Sequence, residues 1–169
     1  MDTPRVRLVR LPAGALDALL RGDLEAASGL AGVVLPPFFL DEGWLWAIRS
    51  DQLRRDPAAG DWIVRAVVNG DGVVVGHAGF HGPPDELGDV EVGYTVVPEH
   101  RGQGWAKAAL AELLTWADGE PDVRRVVATI APDNTPSLAV VRDFGFVHIG
   151  EQTDPVDGLE LIYVRSTGH

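Results

Sequence analysis

Glu91-Val92-Gly93-Tyr94-Thr95-Val96-Val97-Pro98-Glu99-His100-Arg101-Gly102-Gln103-Gly104-Trp105-Ala106 is the stretch that decides how this chain is read. Its first half is mostly β-branched or aromatic and predicts a strand over 89–97. Pro98 stops the strand ladder, because proline has no N–H to donate. Residues 102–118 then predict an amphipathic helix, with Ala106, Leu110, Leu113, Leu114 and Ala117 on one face. Glycines at 102 and 104 let backbone N–H groups converge without side-chain interference. The helix that follows adds unsatisfied donors and the positive end of its dipole. A pyrophosphate fits such a cradle, and so does a plain strand-to-helix turn that needs glycine for its dihedrals. It is not a Walker loop, since no Gly-Lys-Ser/Thr follows, nor a Rossmann fingerprint, which wants a third small residue at another offset.

Working outward, residues 5–11 predict a first strand. Leucines at 16, 19, 20, 24 and 30 place helical structure over 13–30, punctuated by Gly22 and Gly29. A second amphipathic helix is predicted over 41–55 and ends at Asp56-Pro57. The runs 62–68 and 73–80 flank Asn69-Gly70-Asp71-Gly72, a strong hairpin signal because Asn-Gly and Asp-Gly accept positive φ cheaply. Beyond the central stretch, residues 125–130 read as a strand. Asp133-Asn134-Thr135-Pro136 caps a helix running to about Asp143, and Phe144-Gly145-Phe146 closes it. Strands near 146–152 and 159–165 follow. Antiparallel strands followed by a strand–helix–strand crossover imply an α+β fold with a mixed, mostly antiparallel central sheet and flanking helices.

The bulk composition agrees with one ordinary domain over 1–169. No apolar stretch of about 18 residues is present, so no membrane span is expected. Asp2, Pro4, Arg5 and Arg7 break up any signal-peptide core, which makes a cytoplasmic location the expectation. Cysteine is absent, which excludes disulfides and a cysteine nucleophile within the chain. The net charge of −11 argues against nucleic acid as a partner. It is only weak support for a cationic acceptor.

The central stretch resembles the donor-binding core of the GNAT acetyltransferases. Arg101-x-x-Gly104-x-Ala106 is similar to that superfamily's Gln/Arg-x-x-Gly-x-Gly/Ala signature, and Asn134-x-x-Ser137 with Phe144-Gly145-Phe146 is similar to the end of the same core. The resemblance spans roughly residues 89–146 and is closest in appearance to the branch with the ribosomal-protein alanine acetyltransferases. It implies acetyl-CoA as co-substrate, no metal, and transfer to a primary amine through a ternary complex. The pyrophosphate would lie on the backbone of Arg101, Gly102, Gln103, Gly104, Trp105 and Ala106. The strand ending at Val96-Val97 would splay from the 125–130 strand, and the pantetheine arm would pair with main chain near Val96 and Val97 as an added strand does. Asn134 is the matching position for a side-chain contact to that arm, or else simply a helix cap.

Transfer to an amine requires loss of a proton from the ammonium, whose pKa is about 10.4 for a lysine-like group, and a donor for the oxyanion. Glu91 is the first candidate for the base. The alternative for it is a solvated or salt-bridged strand residue. Asp89 and Glu86 are weaker candidates. Many relatives place a tyrosine seven residues beyond the asparagine, where this chain has Val141. Ser137 is then the remaining polar residue that could serve the leaving thiolate, or it satisfies only the first helical turn. The oxyanion donor is expected to be a backbone N–H near Val96 or Val97.

His77 and His81 lack a third partner, so a metal is not expected. His100 reads as a surface residue, His148 as structural, and His169 is terminal. Trp44, Trp46, Phe38 and Phe39 are candidates for the acceptor wall or for the core. The acceptor could be a protein N-terminus or a small-molecule amine. A non-catalytic acyl-CoA-binding protein, a longer acyl donor and a homodimer all stay open at this level.

Overall fold

Seven strands join into one sheet in the order β1-β2-β3-β4-β5-β7-β6 among the described residues. They are β1 (Val6–Arg10), β2 (Arg65–Asn69), β3 (Val74–Phe80), β4 (Asp89–Val96), β5 (Arg125–Ile130), β6 (Val147–Asp154) and β7 (Gly158–Ser166). The helices are α1 (Ala13–Leu20), α2 (Leu24–Ala31), α3 (Gly43–Arg55), α4 (Trp105–Asp118) and α5 (Thr135–Arg142). The computed structural model describes residues 4–168, so the readings placed on Asp2 and His169 lie outside the described residues. Every neighbouring strand pair is antiparallel except β4 with β5. This is the α+β architecture that the element order predicts.

Side chains alternate across the strands, and the two faces of the sheet carry separate cores. Val67, Val75, Val90, Val92 and Val126 meet Leu110, Leu113 and Leu114 of α4, with Leu138 and Val141 of α5 alongside. Ala66, Val68 and Val74 face the other way, onto Leu16, Leu19, Phe39 and Trp46 from α1 to α3. Each such large side chain, fully buried, contributes about 1.5–3 kcal/mol.

Several boundaries differ from the sequence reading, each for a local reason. The 13–30 helical stretch divides at Gly22, whose φ of +75° ends α1. Asp23 Oδ1 then caps α2 by accepting from Ala26 N–H at 3.0 Å. Gly29, expected to interrupt, lies inside α2, and Gly32 terminates it at φ +76°. Trp62, expected to begin a strand, sits in a turn and packs its ring 4.6 Å from that of Trp116. The 69–72 turn forms as expected. Asn69 Oδ1 accepts from the N–H groups of Asp71 and Val73, both at 3.0 Å.

The feature that positions the site is the parallel pair. β4 and β5 are in register only at Asp89↔Arg125, Val90↔Val126 and Glu91↔Val127. β4 then follows β3 to Val96, while β5 follows β7 to Ile130. The sheet opens into a V whose apex is at Glu91.

Candidate acyl-donor and acceptor cleft

The V holds a cleft of about 490 Å³, lined among others by Trp44, His81, Tyr94, Thr129, Asn134 and Ser137. The hydrogen-bond phase of β4 decides which main-chain groups face it. His81 N–H donates to the Glu91 carbonyl at 2.8 Å, and Val97 N–H donates to the Val75 carbonyl at 2.8 Å. In an antiparallel pair the bonded positions alternate, so Glu91, Gly93, Thr95 and Val97 turn their main chain to β3. Val92, Tyr94 and Val96 turn theirs into the V. Of the two strand-end residues expected to meet the donor, Val96 therefore turns its main chain into the V, with its carbonyl taken by Arg101 Nε. Val97 has its N–H engaged and its side chain buried in the α1–α3 core.

At the open end of β4 the chain passes through residues 98–100, a short 3-10 turn, into the glycine turn. Gly102 and Gly104 hold φ of +77° and +88°, conformations that L side chains rarely adopt. α4 consequently begins at Trp105 and not at Gly102, because the two glycines remain in the turn. No side chain caps α4, and its first turn contains no acidic residue. Its leading N–H groups and dipole end are left to a solvent-side anion. Nothing lies within 4 Å of a Cβ built on Gly102, so the concavity is open. Arg101 folds back, its Nε donating to the Val96 carbonyl at 3.1 Å. Gln103 Oε1 accepts from Trp105 Nε1 at 3.2 Å, and Lys107 pairs with Asp143. This donor set, backbone N–H groups plus an arginine beside an opened strand edge, fits a pyrophosphate followed by an extended amide-bearing arm.

Glu91 lies at the apex. One carboxylate oxygen accepts from the Thr129 hydroxyl at 2.6 Å, and the other is 3.4 Å from His81 Nδ1. Burial pushes the Glu91 carboxyl up, but the His81 and Thr129 contacts and the Arg49 charge outweigh it and hold the group below its ordinary value. Asp89, a weaker candidate, is already engaged by Arg125 at 2.8 and 2.6 Å. Glu86 is exposed in the loop.

On the α5 side, Asn134 Oδ1 accepts from Ser137 N–H at 3.3 Å, so the capping role is present, and the residue also lines the cleft. Ser137 neighbours the Tyr94 phenol. Burial raises that phenol's pKa, and the Ser137 hydroxyl acts in the opposite sense. Val141 is fully buried in the core under α5. Trp46 and Phe39 are core residues, their rings stacked 5.5 Å apart, and Phe38 packs against the same core. Trp44 is 64% exposed and does stand in the cleft wall.

His77 is buried against Phe39 and Trp46 and meets Glu42 at 3.2 Å. The His77 contact is the largest influence on the Glu42 carboxyl, which lies below its ordinary value despite burial. His148 meets the Gly150 carbonyl on β6 at 2.9 Å. Thr129 and Tyr94 are cleft residues that sequence reasoning did not single out for chemistry, and His81 it weighed only as a metal ligand.

The acetyltransferase (GNAT) domain family matches residues 5–147. An uncharacterized N-acetyltransferase of Bacillus subtilis, YjdG, is 29% identical over 152 residues, covering 87% of this chain and 89% of that one. Mycobacterium smegmatis RimJ, solved in complex with CoA-disulfide, superposes with a TM-score of 0.64 at 25% identity, covering 95% of this chain and 86% of that one. A phosphinothricin acetyltransferase from Sinorhizobium meliloti, solved with AcCoA, shares the fold with a TM-score of 0.63 at 21% identity over 96% of this chain and 89% of that one.

Proposed function

The chain belongs to the GNAT acetyltransferase family, and on that premise we propose that residues 1–169 are one acyl-CoA N-acyltransferase domain. It moves acetyl from acetyl-CoA to a primary amine, a protein N-terminus or a small-molecule amine, by direct attack within a ternary complex. The observation that carries this reading is the alignment of an uncapped α4 N-terminus with the V between β4 and β5. Arg101, Gly102, Gln103, Gly104, Trp105 and Ala106 would hold the pyrophosphate. Val96 and Tyr94 would offer main-chain groups to the pantetheine arm, with Val97 fixing the strand end beneath them and Asn134 reaching from α5. An oxyanion would meet the Val96 N–H. Acetyl-CoA would supply an activated thioester, and the protein's part is to orient the amine, unload its proton and receive the thiolate.

Glu91 serves the unloading of the ammonium, for it is the carboxylate held ionised at the apex of the cleft. Ser137 on α5, with Tyr94 beside it, serves the thiolate.

Thiol release from acetyl-CoA, measured against a panel of amines and N-terminal peptides, tests the reading. Turnover with any amine supports it. Tight acetyl-CoA binding with no thiol release across the panel would favour a non-catalytic acyl-CoA-binding protein. A donor-length series in the same assay separates acetyl from longer acyl groups.

A further inference from the structure

Resting on the acetyltransferase reading above, we infer that His81 Nε2 takes the proton from the acceptor ammonium and that Glu91 is its positioning residue. The geometry carries this. His81 is fixed by its main chain on two sides: its N–H donates to Glu91 at 2.8 Å, and its carbonyl accepts from Gln52 Nε2 at 2.7 Å and from Arg49 Nη1 at 3.2 Å. Its Nδ1 faces Glu91, so its Nε2 faces outward over Gly93. A Cβ built on Gly93 would stand 3.0 Å from that Nε2, so the bare glycine leaves the imidazole its place. His81, Gly93 and Thr129 all line the cleft.

Glu91, by contrast, has both oxygens engaged, one by Thr129 at 2.6 Å and one toward His81. A carboxylate already served by donors is a weak proton acceptor, whereas imidazole changes protonation between about pH 5 and 8. The charged groups around the ring are Glu91 on β4 and Arg49 on α3, with Asp157 and Glu160 of the β6–β7 hairpin also lining the cleft.

The step balances as follows. An ammonium N–H proton passes to His81 Nε2, and the freed lone pair forms the C–N bond at the thioester carbonyl. The C–S bond breaks with its electron pair going to sulfur, the thiolate takes the second nitrogen proton by way of the Ser137 and Tyr94 hydroxyls, and His81 returns its proton to solvent.

The test is kcat/KM for the amine against pH in wild type, Glu91→Gln and His81→Gln, with acetyl-CoA affinity measured by calorimetry. Wild type should show an acid limb. E91Q should keep the limb, because the imidazole still takes the proton, with a plateau about 10-fold lower because the ring is no longer oriented. H81Q should bind acetyl-CoA normally and lose about 100-fold in rate together with the limb. A limb abolished in E91Q, or retained in H81Q, overturns the inference while the acetyltransferase reading stands. Absence of turnover in wild type defeats both. If H81Q fails to fold, the behaviour of the E91Q limb decides alone.

Discussion

The Thr129 hydroxyl donates to the Glu91 carboxylate at 2.6 Å, just beyond the last rung at which β4 and β5 remain paired. The same contact closes the apex of the V and, with His81, outweighs burial to keep the carboxyl below its ordinary value.

That relationship makes stability depend on pH in a defined direction. The folded Glu91 carboxyl lies below its ordinary value of 4.5. The stabilisation is therefore fully present above about pH 4.5 and is lost as pH falls through the folded value. Thr129→Val removes one donor to the charged form. It should cost about 1 kcal/mol at neutral pH, and less at an acid pH below the folded value, where the carboxyl has taken up its proton. Urea unfolding at the two pH values measures this, and an equal loss at both would show that Thr129 acts only through packing.

The glycine turn can be separated from ordinary backbone strain. Gly102 and Gly145 have the same φ of +77°, and nothing lies within 4 Å of a Cβ on either. Alanine at either site should cost about 1–2 kcal/mol through the left-handed backbone alone. Only Gly102→Ala should also raise the Kd for acetyl-CoA, by about 10-fold, because only it places a methyl group in the anion cradle. Calorimetry on both variants checks this. Equal Kd values would remove the turn from donor binding.

Much of this was legible in the chain because local chemistry set it. The Asn69–Gly72 turn, the proline after β4, the Gly102 and Gly104 pair and the Asn134 cap each act within a few residues. What lay beyond reading was the phase of strand pairing. The loop between β3 and β4 contains Gly82, Pro83, Pro84 and Gly88 and is not a tight turn of fixed register. Nothing local therefore said that His81 would stand opposite Glu91, or that Val96 and Tyr94, and not Val97, would face the V. Thr129 was hidden for a related reason, since its meeting with Glu91 spans 38 positions and a helical crossover. Trp46 and Trp44 illustrate the same limit. They are two residues apart on one helix, yet one is core and the other cleft.

Asp89 provides a control for the carboxylate at the apex. Its bidentate pair with Arg125 sits on the first rung of the parallel pair, and Asp89 is the more buried partner at 14% exposure against 39%. Asp89→Asn should lower stability by about 1 kcal/mol, a shift in Tm of about 2–4 °C, and leave kcat/KM within about twofold. Calorimetric melting and the thiol-release assay together check it. A kinetic loss as large as that of E91Q would show that Asp89, and not Glu91 alone, positions the groups at the apex.

Tyr94 answers the question raised by Val141. The helix position from which relatives are expected to present a phenol is filled here by a buried valine, while a phenol reaches the cleft from β4 and meets Ser137. Burial raises its pKa above the ordinary 10.0, so it stays protonated through neutral pH and can pass a proton toward sulfur without becoming ionised at rest. Tyr94→Phe should lower kcat about 10-fold with acetyl-CoA affinity unchanged, and Ser137→Ala should lower it less, since water can replace the hydroxyl of a half-buried residue in an open cleft. If the two hydroxyls form one relay, the double variant should be no slower than Y94F alone, because removing the first member already breaks the chain. Strictly additive losses would mean that the two groups act separately, and a Y94F enzyme with full kcat would return the thiolate to solvent.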